Sequence, residues 1–372
     1  MKRLNYYITS ALICSASLFS GCTNEDDPIN AQGTDDKLVT IIANAPSIED
    51  DSNKAGTRVD VTDDEGLVLK WESTDRIRII AANIKDNTWG YNNATYAGTD
   101  KKTSYASGPT VGNPTATATF TFDKFSDPLA YTVTIGNDAG LNASDDNNSW
   151  GKYALVTPQT QDCSAGNETA HLKQYYTAIL KNIKASAINS GNSITFSQAW
   201  ATTNKYVPQV TPATNEPAAA DCGIFAQSSC LKMIFTLPIL PNSVTYDNIK
   251  KMEITTSRET KTDSSASSFF SNNKGSIVTN SITLNFENVP NNNSITAYFM
   301  LCSPGLRVYN NSGDATMWDI KMYYGEGASD YIYKDIKFTK SINGNTADNK
   351  QGKLYKLTVN NTGWKKSDGT DL

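Results

Sequence analysis

Apolar and polar residues alternate over many short segments of the chain. In Ala116–Phe122, for example, Phe120 and Phe122 alternate with Thr119 and Thr121. Alternation at period two places one face of a strand on a core and the other in water, as in antiparallel sandwiches. Gly, Pro, Asn and Asp fill the intervals, as expected for turns. The pattern predicts strands at Leu38–Ala43, Leu67–Trp71, Arg76–Ala81, Ala116–Phe122, Leu129–Ile135, Leu231–Leu237, Lys250–Thr255, Ser281–Phe286, Ser294–Leu301, Met317–Tyr323, Tyr331–Phe338 and Lys353–Val359.

One segment, Glu168–Ser186, has a different period. Its apolar residues recur at the spacing of one helix face. They are Leu172, Tyr176, Ile179, Leu180 and Ile183. This spacing predicts a short helix across the end of a sandwich.

The N-terminus has the pattern of a bacterial lipoprotein signal. Lys2 and Arg3 precede an apolar run, Tyr6–Phe19, which is followed by Ser20, Gly21 and Cys22. An apolar run of about 7–15 residues is too short to span a membrane and is typical of a secretory signal. We therefore predict a signal peptide at 1–21, cleavage between Gly21 and Cys22, and acyl chains on the Cys22 thiol. The alternative is an ordinary secretory signal in which Cys22 is incidental.

An acidic cluster follows this cysteine. Glu25, Asp26 and Asp27 resemble the surface-export signal of some Gram-negative lipoproteins. We therefore expect a surface-exposed lipoprotein of the outer membrane, tethered by its N-terminus.

Changes in composition predict the domain organisation. Residues 22–36 are acidic and lack periodicity, as in a flexible tether. Pro208, Pro212 and Pro217 lie among small residues in a connector that divides the predicted strands into two groups. The predicted segments are an N-terminal β-sandwich domain at 37–200, a Pro-rich connector at 201–224, a C-terminal β-sandwich domain at 225–360 and a polar tail at 361–372.

Charge and cysteine content exclude several classes of protein. The formal charge is −5, and no basic run is present, so the chain is poorly suited to nucleic acid. Cys14 is removed with the signal peptide. The sequence contains no CxxC pair, so we expect no structural zinc site. The cysteines left for pairing after Cys22 are Cys163, Cys222, Cys230 and Cys302. A local disulfide between Cys222 and Cys230 and buried free thiols are both open at this point.

No catalytic or metal motif emerges from the sequence. His171 is the only histidine and has no nucleophile elbow or triad context around it. The acidic clusters Asp60–Glu65 and Asp145–Asn148 match no calcium-loop spacing. We therefore expect a protein that is not an enzyme and that needs no cofactor or metal.

Four aromatic residues suggest a different function. Trp89, Tyr91, Trp150 and Trp200 lie in Asn- and Gly-rich surroundings. Exposed aromatic faces can stack on sugar rings, so glycan binding is the alternative function. In the other interpretation, these rings close the ends of the sandwiches.

Several motifs carry a family resemblance. Gly56-Thr57-Arg58, followed by Leu67–Ile77 with its tryptophan and aspartate, resembles the start of the fimbrillin family, the type V pilins and their accessory subunits. Further segments are similar to recurrent stretches of that family and cover most of the chain. They are Tyr153–Gln161, Ser229–Phe235 and Gly352–Val359.

The resemblance implies two tandem transthyretin-like antiparallel β-sandwich domains, with the short helix in the first, and export as a lipidated precursor. In such pilins a trypsin-like, Arg-specific protease removes the first strand, and a strand of the next subunit takes its place. On this chain the cut falls in Thr57-Arg58-Val59, after Arg58, and 37–58 is the removable strand and loop. The alternative is that Arg58 is only an exposed loop residue.

The C-terminal sequence favours an accessory or tip subunit. Residues 360–372 lack the alternating apolar residues that a donor strand needs to fill successive pockets. The partners implied are other fimbrial subunits through donor-strand exchange, the outer membrane through the lipid, and a glycan or protein receptor in cell adhesion.

Overall fold

Most of the residues that the structure describes lie in β-strands, and the helices among them are few and short, so the all-β prediction is confirmed. The computed structural model describes residues 38–50, 67–73, 75–82, 102–106, 115–125, 128, 130–136, 156–189, 193–206, 223–258, 281–301, 316–338 and 352–372. Within these ranges, no helix is long and apolar enough to cross a membrane.

The elements are short and follow one another closely. The strands of the first half are β1 (Leu38–Asn44), β2 (Ser47–Asp50), β3 (Leu67–Val68), β4 (Ile77–Ala82), β5 (Lys102–Ala106), β6 (Thr117–Asp123), β7 (Ala130–Gly136), β8 (Gln159–Asp162), β9 (Thr177–Lys184) and β10 (Ser193–Ile194). Those of the second half are β11 (Gly223–Gln227), β12 (Ser229–Thr236), β13 (Lys251–Arg258), β14 (Ser281–Glu287), β15 (Ser294–Leu301), β16 (Thr316–Tyr323), β17 (Tyr331–Phe338), β18 (Lys353–Val359) and β19 (Lys365–Lys366). The α-helices are α1 (Leu172–Tyr175), α2 (Ala185–Asn189) and α3 (Gln198–Asn204), and 3-10 turns occur at Pro241–Ser243 and Tyr246–Asn248.

These strands form four sheets. Their orders are β10-β1-β6, β11-β9-β7-β4-β5, β15-β12-β18-β2-β3 and β19-β17-β16-β13-β14-β8. Most neighbours are antiparallel, as predicted, but four pairs are parallel: β1 with β10, β12 with β18, β14 with β8, and β18 with β2. In each parallel pair the two strands are far apart in sequence, so local alternation gives no sign of the pairing.

Two hydrophobic cores fill the space between the sheets. The first joins the β10-β1-β6 sheet to the β11-β9-β7-β4-β5 sheet and includes Ile41, Phe120 and Leu180. The second joins the other two sheets and includes Phe235 and Trp318. The sheet around β12 contributes to both cores, because alternate residues of its strands point to opposite faces.

Register shows how one sheet serves two cores. Cys230 of β12 lies beside Met300 of β15 and Leu354 of β18, and all three belong to the first core. The next row is Leu231 with its neighbours Phe299 and Tyr355, which belong to the second core. Both faces of β12 are therefore buried, which explains its run of apolar residues.

Strands cross the division predicted from composition. β2 and β8 lie N-terminal to the predicted connector at 201–224, yet they join the sheets of the second core. Ser228 alone separates β11 from β12, and residues Lys37–Leu372 form one compact unit. The division at 201–224 stays a prediction, and the two cores share chain segments across it.

The helix predicted over Glu168–Ser186 is wrong for most of its length. α1 has only four residues, and the chain then forms β9, which lies between β7 and β11. A central strand buried on both faces needs apolar residues without alternation, and such a run matches helical spacing by chance. β9 also contains a bulge opposite Thr132 of β7, where Asn182 has a positive φ of 53°. This bulge further disturbs the alternation of side chains along β9.

The C-terminal residues 361–372, predicted as a polar tail, are folded onto the second core. Trp364 is fully buried, and its ring lies 6.3 Å from that of Phe235. Its Nε1 donates to the carbonyl of Asn360 at 2.9 Å, and the Lys334 ammonium donates to the carbonyl oxygens of Asn360 and Thr362. A single tryptophan among polar residues has no periodicity, which is why the sequence pattern missed this anchor.

Replacement of Trp364 by alanine is expected to lower the free energy of unfolding by about 3–5 kcal/mol, because it leaves a cavity where a large ring is buried. Urea unfolding followed by circular dichroism measures this change. Ile239→Ala is the control, since the Ile239 side chain is 82% exposed and should change the same free energy by less than about 0.5 kcal/mol. Equal effects of the two substitutions would contradict the role of Trp364 as an anchor.

Candidate strand-exchange site

β1 occupies a slot between two other strands. All seven of its residues pair with β6, from Leu38 opposite Asp123 to Asn44 opposite Thr117. On its other side, Ile42 and Ala43 pair with β10. β1 is therefore the middle strand of its sheet, although it is the first strand of the described chain.

Side chains of β1 alternate between the core and the surface. Val39, Ile41 and Ala43 are buried in the first core, whereas Leu38 is 51% exposed. Burial of a valine or isoleucine side chain contributes about 1.5–3 kcal/mol. Three inward positions spaced two residues apart thus fix β1 by apolar contacts as well as by its backbone pairing.

The chain continues from β1 into a second sheet. Ala45 donates its backbone N–H to Ala116 at 2.7 Å, and Pro46 accepts one from Leu69 at 3.0 Å. β2 then pairs with β18 on one side and with β3 on the other. Ile48 of β2 is fully buried. Residues 38–50 consequently complete two different sheets.

Trp71 fastens β1 from the side. Its Nε1 donates to the Ala43 carbonyl at 2.9 Å, in a buried position. Its ring meets the Phe120 ring edge-on at a centroid distance of 5.0 Å, a favourable arrangement for two aromatic rings. Backbone bonds with Thr115 in both directions hold Trp71 itself in place.

The turn after Trp71 is closed by charged groups. Asp75 Oδ2 accepts the Glu72 backbone N–H at 2.7 Å. Lys173 Nζ lies 2.7 Å from the same Asp75 oxygen and 3.3 Å from Glu72 Oε2. These groups are partly exposed, so the ion pairs contribute little on their own. The bond from the Glu72 N–H to Asp75 explains why an aspartate follows Trp71 at this position in the sequence. The aspartate caps the turn that holds the Trp71 indole against β1.

Side-chain amide groups hold the two ends of the β1–β2 connection. Asn44 Nδ2 donates to Thr195 Oγ1 at 2.9 Å. Gln227 Nε2 donates to the carbonyls of Ser47 at 3.2 Å and Phe196 at 2.9 Å. Gly352 packs against this glutamine at a positive φ of 68°, and a Cβ there would lie 2.6 Å from Gln227 Cδ. The sequence analysis missed Gln227, because a lone buried glutamine gives no periodic signal.

Most of the residues selected from the sequence lie outside the described residues. They are Gly21, Cys22, Thr57, Arg58, Val59, Trp89, Tyr91, Trp150 and Cys222. Trp200 is described: it lies in α3 and packs, partly buried, against the first core.

The described cysteines are free thiols. Cys163 and Cys230 are both buried free thiols. Burial raises the pKa of the Cys163 thiol to about 11 and raises that of Cys230 as well. Both are protonated and unreactive at neutral pH.

His171 is a buried structural residue. Its Nε2 lies 2.9 Å from the carbonyl of Tyr298 in β15, so that nitrogen carries the proton and donates. Burial lowers the pKa of the imidazole below its usual value. Among the residues that the structure describes, no three His, Cys, Asp or Glu side chains are grouped so that they could hold a metal ion.

Comparisons with known proteins add little to this geometry. No family model matches the chain, and no curated protein matches it. A solved structure that is similar in part is the full-length major pilin SpaD from Corynebacterium diphtheriae, with 11% sequence identity and a TM-score of 0.18. The match covers 81% of this chain and 65% of that pilin, so the chain spans less than two thirds of its length. A TM-score this low supports no conclusion about fold or function.

Substitution of Trp71 by phenylalanine should loosen β1, because it removes the donor to the Ala43 carbonyl and keeps an aromatic ring. The free energy of unfolding is expected to fall by about 1–3 kcal/mol, and hydrogen exchange of the β1 amides should accelerate. Trp364→Phe is the matched control, since it removes an indole hydrogen bond of the same length from the second core. It should destabilise the protein and leave exchange in β1 unchanged at temperatures well below unfolding. Equal exchange of β1 in both variants would show that Trp71 does not fasten it.

The stability of the protein should depend on pH through His171. The folded-state pKa is lowered, so below about pH 6.5 the unfolded state binds a proton that the folded state resists. The free energy of unfolding is therefore highest above pH 6.5 and falls as the pH drops below it. Urea titrations at pH 7.5 and 6.0 measure the difference. Since His171 is the only histidine, His171→Gln should largely remove it, and a wild-type protein with equal stability at both pH values would contradict the expectation.

Proposed function

We propose that this protein is a fimbrial subunit of the accessory or tip type, exported as a lipoprotein precursor. In this proposal, cleavage after Arg58 triggers its assembly by strand exchange, and the assembled subunit contributes to cell adhesion. The sequence resemblance to the fimbrillin family and the geometry of β1 support this function.

The observation that carries the proposal is the position of residues 38–50. They form the middle strand of one sheet and an inner strand of another, and Arg58 follows them in sequence before β3 begins. A cut after Arg58 would leave β1 and β2 held only by hydrogen bonds and apolar contacts. Their departure would leave β6 and β18 with unpaired backbone groups beside an apolar slot, which a partner's alternating strand can fill.

The distribution of charge along the chain also supports cleavage after Arg58. Residues 22–58 hold eight acidic and three basic residues, a net charge of −5. The chain without its signal peptide has a charge of −7, because Lys2 and Arg3 are removed from a total of −5, so cleavage would leave −2. A smaller net charge weakens the repulsion between copies and favours association.

The C-terminal strand supports the accessory or tip role. A subunit that donates its last strand must release it, but β18 pairs with β12 from Leu354 to Val359, and the departure of β2 would leave this pairing in place. Leu354, Tyr355 and Val359 of β18 are buried, and Trp364 behind them is fixed in the second core. This chain is therefore built to accept a strand and is poorly suited to donate one.

The lipid has a temporary role in this proposal. Cys22 would hold the precursor at the outer membrane, with β1 filling its slot. Since Cys22 and β1 both precede Arg58, one cut would release the anchor and open the slot together. The final location would then be the fimbrium on the cell surface.

Substitution of Arg58 by alanine tests the proposal in the producing cell. The mature wild-type protein is expected to begin at Val59, and the Arg58→Ala protein should keep its lipidated N-terminus and fail to enter fibres. N-terminal sequencing, the size of the mature protein and electron microscopy of surface fibres measure these outcomes. Arg76→Ala is the matched control, since Arg76 is an exposed arginine downstream and its loss should leave processing unchanged.

Two results would contradict parts of the proposal. If Arg58→Ala leaves the size of the mature protein and the surface fibres unchanged, the strand-exchange mechanism fails for this chain, and an uncut N-terminus together with sugar binding would favour the glycan-binding alternative. If purified protein cleaved after Arg58 forms long homopolymers by itself, the accessory or tip role is wrong.

A further inference from the structure

β15 is the outermost described strand of its sheet, with β12 on one side only. An outermost strand normally presents a row of unpaired N–H and C=O groups, onto which a strand from another molecule can add. In this protein the outward groups of β15 from the Thr296 carbonyl to Met300 are already bonded. Their partners are side chains of a segment that lies far away in sequence.

Two glutamines of β8 supply most of these partners. Gln159 accepts the Met300 N–H at 2.9 Å and donates to the Met300 carbonyl at 2.7 Å. Gln161 accepts the Tyr298 N–H at 2.7 Å and donates to the Thr296 carbonyl at 2.7 Å. A glutamine amide carries one acceptor and one NH₂ donor group, so each side chain replaces one peptide unit of a neighbouring strand.

His171 completes the row. Its Nε2 donates to the Tyr298 carbonyl at 2.9 Å. Between Thr296 and Met300, every second residue of β15 is thus bonded outward by a side chain, and the residues between them pair inward with β12. The edge of β15 is closed without a backbone partner.

The backbone of β8 closes a second edge at the same time. It pairs in parallel with β14, from Gln159 beside Leu284 to Asp162 beside Glu287. Just before β8, Thr157 Oγ1 accepts the Thr283 N–H at 2.8 Å. β8 therefore joins the edges of the two sheets of the second core, one through its backbone and the other through its side chains.

Burial makes this arrangement specific. Gln159 and Gln161 are both fully buried, and a buried amide is costly unless it is hydrogen-bonded. An apolar residue of similar size would fill the same space and leave the β15 groups unpaired. The hydrogen bonds to the backbone of β15 therefore explain why both positions are glutamine.

We propose that Gln159 and Gln161 guard the outer edge of β15 against strand addition by a second copy of this chain. Under the proposed function, this guard would leave the slot of β1 and β2 as the place where a partner strand enters. This inference goes beyond the proposed function and does not depend on cleavage at Arg58, since the intact chain tests it.

The double variant Gln159→Ala, Gln161→Ala tests the proposal when it is made in the intact chain that has not been cleaved after Arg58. Wild type is expected to stay monomeric, and the folded variant should form dimers as its concentration rises. Size-exclusion chromatography with light scattering measures this. Thr160→Ala is the matched control, because Thr160 lies between the two glutamines and is partly exposed, and it should stay monomeric. A folded double variant that remains monomeric at every concentration would overturn the proposal, and so would a wild type that dimerises equally.

Hydrogen exchange of the single variant Gln161→Ala provides a second readout, which is decisive if the double variant does not fold. The Tyr298 amide should exchange about tenfold faster in the monomer, the change expected when one hydrogen bond of ordinary net strength is lost. The Phe299 amide, which faces β12, should be unaffected. Unchanged exchange at Tyr298 would show that Gln161 does not protect this edge, and the proposal would fail.

Discussion

The backbone groups of every buried strand must be paired, and this requirement determines how the two halves of the chain contact each other. The sheet around β12 has apolar residues on both faces, so water cannot satisfy its edges. β2 and then β3 continue the sheet beyond β18, and the glutamines of β8 bond the outer side of β15; all three segments come from the first half of the chain. Two cores that look separable from composition are in this way held together by shared strands.

The bonding of β15 by the β8 glutamines and the pairing of β1 and β2 differ in how they can be broken. β8 is continuous with the chain on both sides, and its glutamines are buried, so the edge of β15 stays closed as long as the second core is folded. β1 and β2 precede Arg58 in the sequence. The backbone pairing and inward apolar side chains that hold β1 are contacts that any alternating strand can make. In the proposed mechanism, the edge of β15 stays closed, and the pairing of β1 and β2 is the one that cleavage after Arg58 would open.

Sequence alternation predicted most of the strands, because in half-buried strands such as β6 every second residue faces water. Alternation did not predict strands in which the residues that face away from water are not alternately apolar. β9 is buried on both faces and gave a helical spacing, and β8 has buried glutamines, which look exposed in a hydropathy pattern. Trp364 lay in a segment with no period at all. The contacts of β2 with β18 and with Gln227 depend on long-range pairing that no local pattern contains.

Trp71 connects the sequence motif to the proposed exchange. It lies downstream of Arg58, so it would remain in the body of the protein after cleavage, while its acceptor, the Ala43 carbonyl, would leave with β1. A buried indole N–H without a partner is unfavourable, and the nearest groups able to satisfy it would be carbonyls of the incoming strand. Because side chains alternate at period two, a strand that presents a carbonyl at this point also has its inward residues aligned with the pockets of Val39, Ile41 and Ala43. The indole would therefore help to set the register of the new strand, which gives a physical reason for a tryptophan at this distance after the proposed cleavage site.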